Sequence, residues 1–389
     1  MKIVYITQWF SSTGGGGEVQ FLNLINSMTK KGHTVHVICQ HLLNPENINS
    51  NDNLHVHRIK PTLKGNTLYL TQNMRFIINA IWKGSQIIKA ERIDIIHANN
   101  YSPAIVGSFL SRIYNIALIK TIHAVYGACP HFWKKWSTQK NVSSVLSFVG
   151  PTLEKITIRS RADIIHTVSK STKNDIIKFN TKSKIIVIPN GVNLAIYDNL
   201  EFNKDYQKYV VFIGRLVVNK NLQVVINSFK EVIKKIPDAK LVVIGSGPML
   251  CEWKKIVSEL GLGGHIEFTG FISEENKMEL LSKCSGLVLP STAEGHPLAA
   301  LEAFAMSKPL LLSDIEPSYD IVSEGIDGFI LSAHEPHKWA EKIIFLLSNR
   351  AICEQMGSKG RIKVERKYSL DSFTENMEAI YTSLLKFNK

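Results

Sequence analysis

Two carboxylates, Glu294 and Glu302, are set eight residues apart in the stretch PSTAEGHPLAALEAFAMSKP, residues 290–309. A carboxylate accepts hydrogen bonds from hydroxyl groups, so one near each end of such a stretch can hold two sugars joined by a diphosphate. Pro297 suits the first turn of a helix, where its missing N–H is no loss, and Lys308-Pro309 stops the helix that starts there. Its start would leave the backbone N–H groups of His296, Leu298 and Ala299 free to meet an anion. The same spacing also fits an amphipathic surface helix with two solvated glutamates. Other residue types capable of this chemistry lie upstream. YVVFIGRLVVNKNLQ, residues 209–223, is an apolar strand pattern ending in Gly214-Arg215, with Lys220 five residues on. Two fixed cations suit a diphosphate, Arg through its planar fork and Lys as a point charge. KLVVIGSGPM, residues 240–249, is a second buried strand running into a Gly245-Ser246-Gly247-Pro248 turn. His123 ends a third strand pattern, TIHAVYG.

Strands alternating with helical patterns must carry these groups, which predicts a soluble α/β protein with parallel sheets. At 389 residues the chain exceeds what one core supports, so two domains are expected. The boundary falls after IPNGVN, in the polar stretch Asp198 to Asp205: a first domain over 1–195, a second over 205–365, and a terminal helix over 366–389. That helix places Tyr368, Phe373, Met377, Ile380 and Leu384 on a shared face. No run of 18 uncharged apolar residues appears, and the N-terminus has no signal-peptide pattern, so neither a transmembrane helix nor secretion is expected. Five scattered cysteines without a C-x-x-C pair fit a reducing cytoplasm and not a zinc site.

The ordered set strand-Gly-Arg-x4-Lys, strand-Gly-x-Gly-Pro and Pro-Ser-x2-Glu-Gly-x-Pro-Leu-x3-Glu resembles the nucleotide-sugar domain of glycosyltransferase family 4. KIVYITQWF with Gly14 to Gly17, IDIIHANN, TIHAVYG, ADIIHTVSKSTKND and IPNGVN resemble that family's other strand ends in the same order, so the likeness covers nearly the whole chain. It implies a GT-B fold, two Rossmann-like domains facing across a cleft, with the C-terminal helix crossing back to the first domain and a hinge that closes over the donor. It implies a retaining transfer from a nucleotide-diphosphate sugar, UDP being the commonest donor nucleotide. By the same likeness Glu302 would bind the ribose hydroxyls, Glu294 would lie by the donor sugar, and His123 would orient it. Gly214, Gly245, Gly295, His296, Pro297 and Leu298 complete the donor contacts, and Gly15 and Gly16 would let the backbone approach the phosphates. Arg215, Lys220 and the helix start would stabilise the leaving diphosphate with no metal and no other cofactor, and no D-x-D pair occurs to chelate one. The sequence departs from the family in Asp320, where a Glu is usual, in Ser307, where a Gly is common, and in His296, where a Phe is often found.

Charge divides the chain. Residues 1–195 hold 23 Lys+Arg against 8 Asp+Glu, and residues 196–389 hold 23 against 25, so all of the net +13 belongs to the first half. A lysine enrichment spread over the whole chain would raise both halves alike. A basic domain calls for an acidic partner, and the aromatics interleaved with lysines in HFWKKW, residues 131–136, favour an anionic membrane face over nucleic acid. A second candidate is the segment around Lys60, Lys64, Arg75 and Lys83, which carries Phe76 and Trp82. The expected setting is cytoplasmic and peripheral on the inner face of the cell membrane, acting on a glycan or lipid-linked acceptor in surface polysaccharide or glycolipid synthesis. Rival readings differ in their signatures. A dinucleotide oxidoreductase lacks its third glycine and an acid ending the second strand. A non-enzymatic binder of membrane or nucleic acid gives no reason for Arg215, Lys220, Glu294 and Glu302 to occur together. A nucleotide-sugar 2-epimerase of the same fold would need no acceptor.

Overall fold

The computed structural model describes residues 1–11, 15–43, 52–59, 69–125, 127, 145–198 and 207–387; of 69–72, 145–149 and 387 only the backbone is described. Two compact units divide the chain, Met1–Pro189 together with Phe373–Lys389, and Asn190–Ser372.

The first unit is built on a seven-stranded parallel sheet. In space its strands run Leu54–Arg58, Thr34–Cys39, Lys2–Ile6, Ile95–Asn99, Ala117–Ile122, Ile164–Thr167 and Lys184–Val187. Lys2–Ile6, Ile95–Asn99 and Ala117–Ile122 are almost wholly buried, as the near-continuous apolar runs require when helices cover both faces of a sheet. The order reverses between Lys2–Ile6 and Ile95–Asn99, and ligands of such sheets bind beyond the carboxyl ends of the strands at that reversal.

The second unit repeats the plan with six parallel strands: Ile266–Gly270, Lys240–Ile244, Tyr209–Ile213, Gly286–Leu289, Leu310–Ser313 and Gly328–Leu331. Here the reversal lies between Tyr209–Ile213 and Gly286–Leu289, paired in register Val210 to Gly286 and Val211 to Leu287. One apolar core fills both faces, with Trp253, Trp339, Phe212, Phe229 and Phe304 fully buried.

Boundaries differ from the sequence reading in physically instructive ways. Residues 190–195 belong to the second unit. Asn190 Nδ2 donates to the His296 carbonyl at 2.8 Å, and Val192 exchanges backbone hydrogen bonds with Tyr368 and Leu370, each 2.8 Å. Residues 366–367 end a helix of their own, Arg350–Lys367, and the last helix is Leu370–Phe387. Tyr368 therefore leaves the predicted terminal face: it is buried in the second unit's core and its hydroxyl donates to the Asp320 carbonyl at 2.7 Å. Phe373, Met377, Ile380 and Tyr381 are the buried face of the last helix, and the segment Phe373–Lys389 is part of the first unit.

That helix is tied in by polar contacts as well. Inside the first unit a run of buried hydrogen bonds joins the Ile188 carbonyl, His166, Thr121, His97, Tyr381 and Tyr5, at 3.0, 2.9, 2.7, 2.7 and 3.0 Å in turn. The carbonyl can only accept, so it fixes the sense of every member. His166 Nε2 donates to it, Thr121 donates to His166, His97 Nε2 donates to Thr121, Tyr381 donates to His97 and Tyr5 donates to Tyr381. Bonds aligned in one sense strengthen one another in a dry interior.

Candidate active site

In the second unit, the strand Tyr209–Ile213 delivers Gly214 and Arg215 at the sheet reversal, and a single 3-10 turn, Val218–Lys220, brings Lys220 back toward its neighbour strand. The neighbour, Gly286–Leu289, continues through Ser291 to Glu294. The loops are laced by backbone contacts: Thr292 N donates to the Asn219 carbonyl at 2.8 Å, and Asn221 Nδ2 donates to Pro290 O at 3.2 Å and Ala333 O at 2.8 Å. Lys220 Nζ meets Glu294 Oε1 at 2.5 Å, and Ser291 Oγ donates to the same oxygen at 2.6 Å. Both charged side chains are mostly shielded, which makes their attraction stronger than that of a surface pair. Arg215 is exposed and its guanidinium has no hydrogen bond or ion pair among the described residues. One cation is thus held in reserve by a carboxylate and one stands free, both at the carboxyl ends of the sheet.

Gly245 follows the adjacent strand with φ +131°, and a Cβ there would run into the Gly214 carbonyl oxygen. The glycine therefore serves close packing of two turns.

The helix Leu298–Ala305 forms as the Leu-Ala-rich run predicts, but Pro297 takes the N-cap position with ψ 117°, one residue earlier than expected. Its first N–H groups, Leu298 and Ala299, make no backbone hydrogen bond among the described residues, while Ala300 N reaches Pro297 O at 3.2 Å. The helix ends before Ser307, whose φ of +53° explains why a glycine fits there. Gly295 lies in the turn between Glu294 and the helix. Beside it the His296 ring is buried against Tyr368, centroids 5.1 Å apart, with neither ring nitrogen hydrogen-bonded among the described residues. Burial lowers its pKa to about 4, so it is a neutral ring filling an apolar niche, the place of a phenylalanine. The backbone carbonyl of His296 is held by Asn190.

Glu302, in the helix interior, is engaged differently from Glu294. Lys277 Nζ reaches Glu302 Oε1 at 3.1 Å and Glu274 Oε2 at 2.7 Å. Burial opposes the charge on Lys277, but the two carboxylates outweigh it and hold its pKa above the ordinary value. Tyr197 lies by the same carboxylates; its own burial, then Glu302 and Glu274, raise its pKa well above the usual range. Lys277 escaped the sequence reading because it sits 25 residues from its partner in an otherwise ordinary polar helix, Glu274–Lys283.

In the first unit, Gly15 caps and Gly16 opens the helix Gly16–Lys30. Gly15 has an ordinary φ of −70°, so its backbone demands no glycine. A Cβ at Gly15 would meet only the flexible end of Glu18, at 2.7 Å, whereas one at Gly17 would lie 2.9 Å from the His123 ring. His123 is half-buried just beyond the strand Ala117–Ile122. Its Nε2 lies 2.9 Å from Asn99 Oδ1, an acceptor, which puts the imidazole hydrogen on Nε2 and a lone pair on Nδ1. Burial, with the nearby His166 second, lowers its pKa to about 3, so it acts as a neutral ring. Asn99 is buried and its Nδ2 is unpaired among the described residues. The region HFWKKW, together with Lys60 and Lys64, lies outside the described residues. Phe76, offered above as part of a membrane face, is a core side chain, whereas Trp82 is exposed.

A doubly wound parallel sheet that occurs twice in one chain, with cations and carboxylates gathered at a strand reversal, defines a two-domain nucleotide-binding enzyme of the GT-B class. The model for Glycosyltransferase Family 4 matches residues 14–196 and that for Glycosyl transferases group 1 matches residues 198–363. The chain belongs to the family 4, group 1 glycosyltransferases. An uncharacterized glycosyltransferase of Methanocaldococcus jannaschii is 26% identical over 98% of both chains. The Escherichia coli UDP-Gal:alpha-D-GlcNAc-diphosphoundecaprenol alpha-1,3-galactosyltransferase is 24% identical, over 84% of this chain and 83% of that one. Anabaena HepE, crystallised in complex with UDP-glucose, superposes with a TM-score of 0.77 at 17% identity, covering 98% of this chain and all of the other. Among the described residues, no helix is long and apolar enough to cross a membrane.

Proposed function

We propose that this glycosyltransferase moves a sugar from a UDP-sugar to a glycan or lipid-linked saccharide, with retention of anomeric configuration, in surface polysaccharide or glycolipid synthesis. The observation that carries the donor reading is the pairing of Lys220 with Glu294 beside the unpaired Arg215 guanidinium at a sheet reversal. A diphosphate arriving there is met by Arg215 and the free N–H groups of Leu298 and Ala299. Lys220 can turn to it from Glu294, so charge is supplied where the leaving group develops it. Glu294, released or shared, then accepts hydrogen bonds from the donor sugar, and Glu302, oriented by Lys277, accepts them from the ribose hydroxyls. In the first unit the neutral His123 is a fixed polar edge of the kind that orients a sugar, and Gly15 and Gly16 are backbone free of side-chain bulk.

The bond from the anomeric carbon to the phosphate oxygen breaks as the bond to the acceptor oxygen forms on the same face. The acceptor's proton passes to the departing phosphate oxygen, so no protein base is consumed. The donor cations stand in for a metal, and no further cofactor takes part. The UDP-linked names of relatives and the basic first unit support a UDP donor and peripheral contact with an anionic membrane.

Differential scanning fluorimetry against UDP-, GDP- and ADP-sugars tests the donor. A ligand at 100 times its dissociation constant adds about 2.7 kcal/mol of apparent stability. A melting shift with GDP- or ADP-sugars alone would replace UDP. Product linkage read by NMR tests retention, and undiminished transfer in EDTA tests metal independence. Lys220→Ala and Glu302→Ala should lower kcat/KM at least 1000-fold with the fold intact; wild-type turnover by either would sink the site assignment.

A further inference from the structure

Three helices lie side by side on one face of the first unit's sheet: Tyr69–Ala90 packs on Tyr101–Tyr114, which packs on Val145–Arg159. Each has a buried side made of the expected apolar residues, such as Phe76, Ala80 and Ile87 on the first and Ala104, Val106 and Leu110 on the second. Each also carries large apolar residues on the opposite, outward crest. Met74, Ile78 and Trp82 follow one another at four-residue spacing and are 53%, 60% and 64% exposed. Phe109 and Ile113 continue the pattern on the middle helix, and Ile156 on the third. Single exposed apolar residues need no explanation, but aligned crests on three neighbouring helices do.

The charges on the same helices are one-sided. They carry Arg75, Lys83, Lys89, Arg112, Lys155 and Arg159 against a single acid, Glu154. Glu154 is buried and turned inward, accepting from the Tyr101 hydroxyl and from Gly127 N. The outward face therefore mixes apolar crests with cations and shows no carboxylate among the described residues. We propose that this three-helix face is the membrane-docking surface of the protein, laid flat on an anionic lipid leaflet; this rests on the peripheral-membrane reading above. Apolar crests enter the acyl boundary while Lys and Arg stems reach the headgroups. A second copy of the chain is a poor occupant, because it would set two cationic faces against each other, and nucleic acid gains nothing from Met74, Ile78 or Phe109.

Co-sedimentation of the full chain with phosphatidylglycerol/phosphatidylcholine vesicles and with phosphatidylcholine vesicles, without donor or acceptor, tests the surface. Each cation near an anionic leaflet multiplies partitioning about fivefold. Arg112→Ala/Lys155→Ala/Arg159→Ala should thus lower binding to anionic vesicles about 100-fold, and Ile78→Ser/Trp82→Ser/Ile113→Ser at least tenfold. Both variants should keep wild-type transfer to a soluble acceptor, which certifies their fold and separates this question from that of the reaction. Wild-type binding by both variants would overturn the proposal, as would equal binding of the wild type to neutral vesicles. Loss of binding in Lys134→Ala/Lys135→Ala but in neither triple variant would move the surface to the 131–136 segment. A concentration-dependent dimer in analytical ultracentrifugation that Trp82→Ser dissociates, without vesicle binding, would make the face a self-interface.

Discussion

Lys277→Met removes a cation that no local motif announces and that holds Glu302 of the proposed donor site. The side chain sits between two carboxylates of unequal worth. Glu274 is well exposed and one helical turn away, a contact worth about 0.3–0.5 kcal/mol. Glu302 is mostly shielded, with side-chain exposures of 11% for Lys277 and 15% for Glu302. Removing one partner of a fully buried pair costs about 3–5 kcal/mol, because the other charge is left without compensation. Water still reaches Glu302, so a figure of about 2 kcal/mol suits this pair. Methionine keeps most of the volume and the helix preference, so packing loss is small. The expected total is about 2.5 kcal/mol, read by urea denaturation monitored by circular dichroism, together with a tenfold or greater rise in the dissociation constant for a UDP-sugar. The pair is isolated by a double-mutant cycle with Glu302→Gln, where the neutral amide leaves no stranded charge. A coupling energy near 2 kcal/mol is expected. A coupling below about 0.5 kcal/mol would show that solvent screens the pair as on an open surface, and the view of Lys277 as the group that orients Glu302 would fall.

Acid should unfold the first unit before the second. His97 and His166 are buried there and His123 is half-buried, all with pKa values below the ordinary 6.5, to about 3 for His123 and about 4 for His166, with desolvation the largest cause. Each folded value is depressed, so the stability these groups allow is complete above about pH 6.5. It is lost as pH falls toward 4, where the unfolded chain binds the extra protons. The second unit has His296 alone in this class. Hydrogen exchange read by mass spectrometry from pH 7 to 4 should show residues 1–189 losing protection first; earlier loss in 207–365 would contradict the assignment. Ser307→Gly should stabilise the second unit by about 0.5 kcal/mol, since the left-handed conformation costs serine more than glycine gains in unfolded-state freedom. A lower melting temperature would refute that.

The parts of the molecule legible in sequence were those written locally. Apolar runs ending in Gly-Arg and Gly-x-Gly marked two neighbouring strands of the second sheet, and the Pro-Leu-Ala run marked the helix of Glu302, which ends at Ala305, two residues before the expected stop. Contacts across elements were not legible. Lys277 reaches Glu302, and Asn99 sits under His123, because the sheet order brings distant segments together, and no periodicity records that. Phe76 and Trp82 look equivalent in a helical repeat flanked by lysines. The phase of the buried stripe, fixed by the sheet below, sends Phe76 to the core and Trp82 outward. The boundary at 190 was hidden for the same reason: Val192 joins the second unit through a strand-like bridge to Ser369, more than 170 residues away.

Tyr381 completes the single-sense run of buried hydrogen bonds in the first unit, yet it is translated after the whole of residues 190–372. While the ribosome is making the second unit, Tyr5 and His97 stand without their common partner and the side of the sheet that takes Phe373 and Met377 is uncovered. The first unit to be synthesised is thus the last that can finish folding. During that interval it depends on the nascent chain staying clear of other apolar surfaces until the last helix emerges.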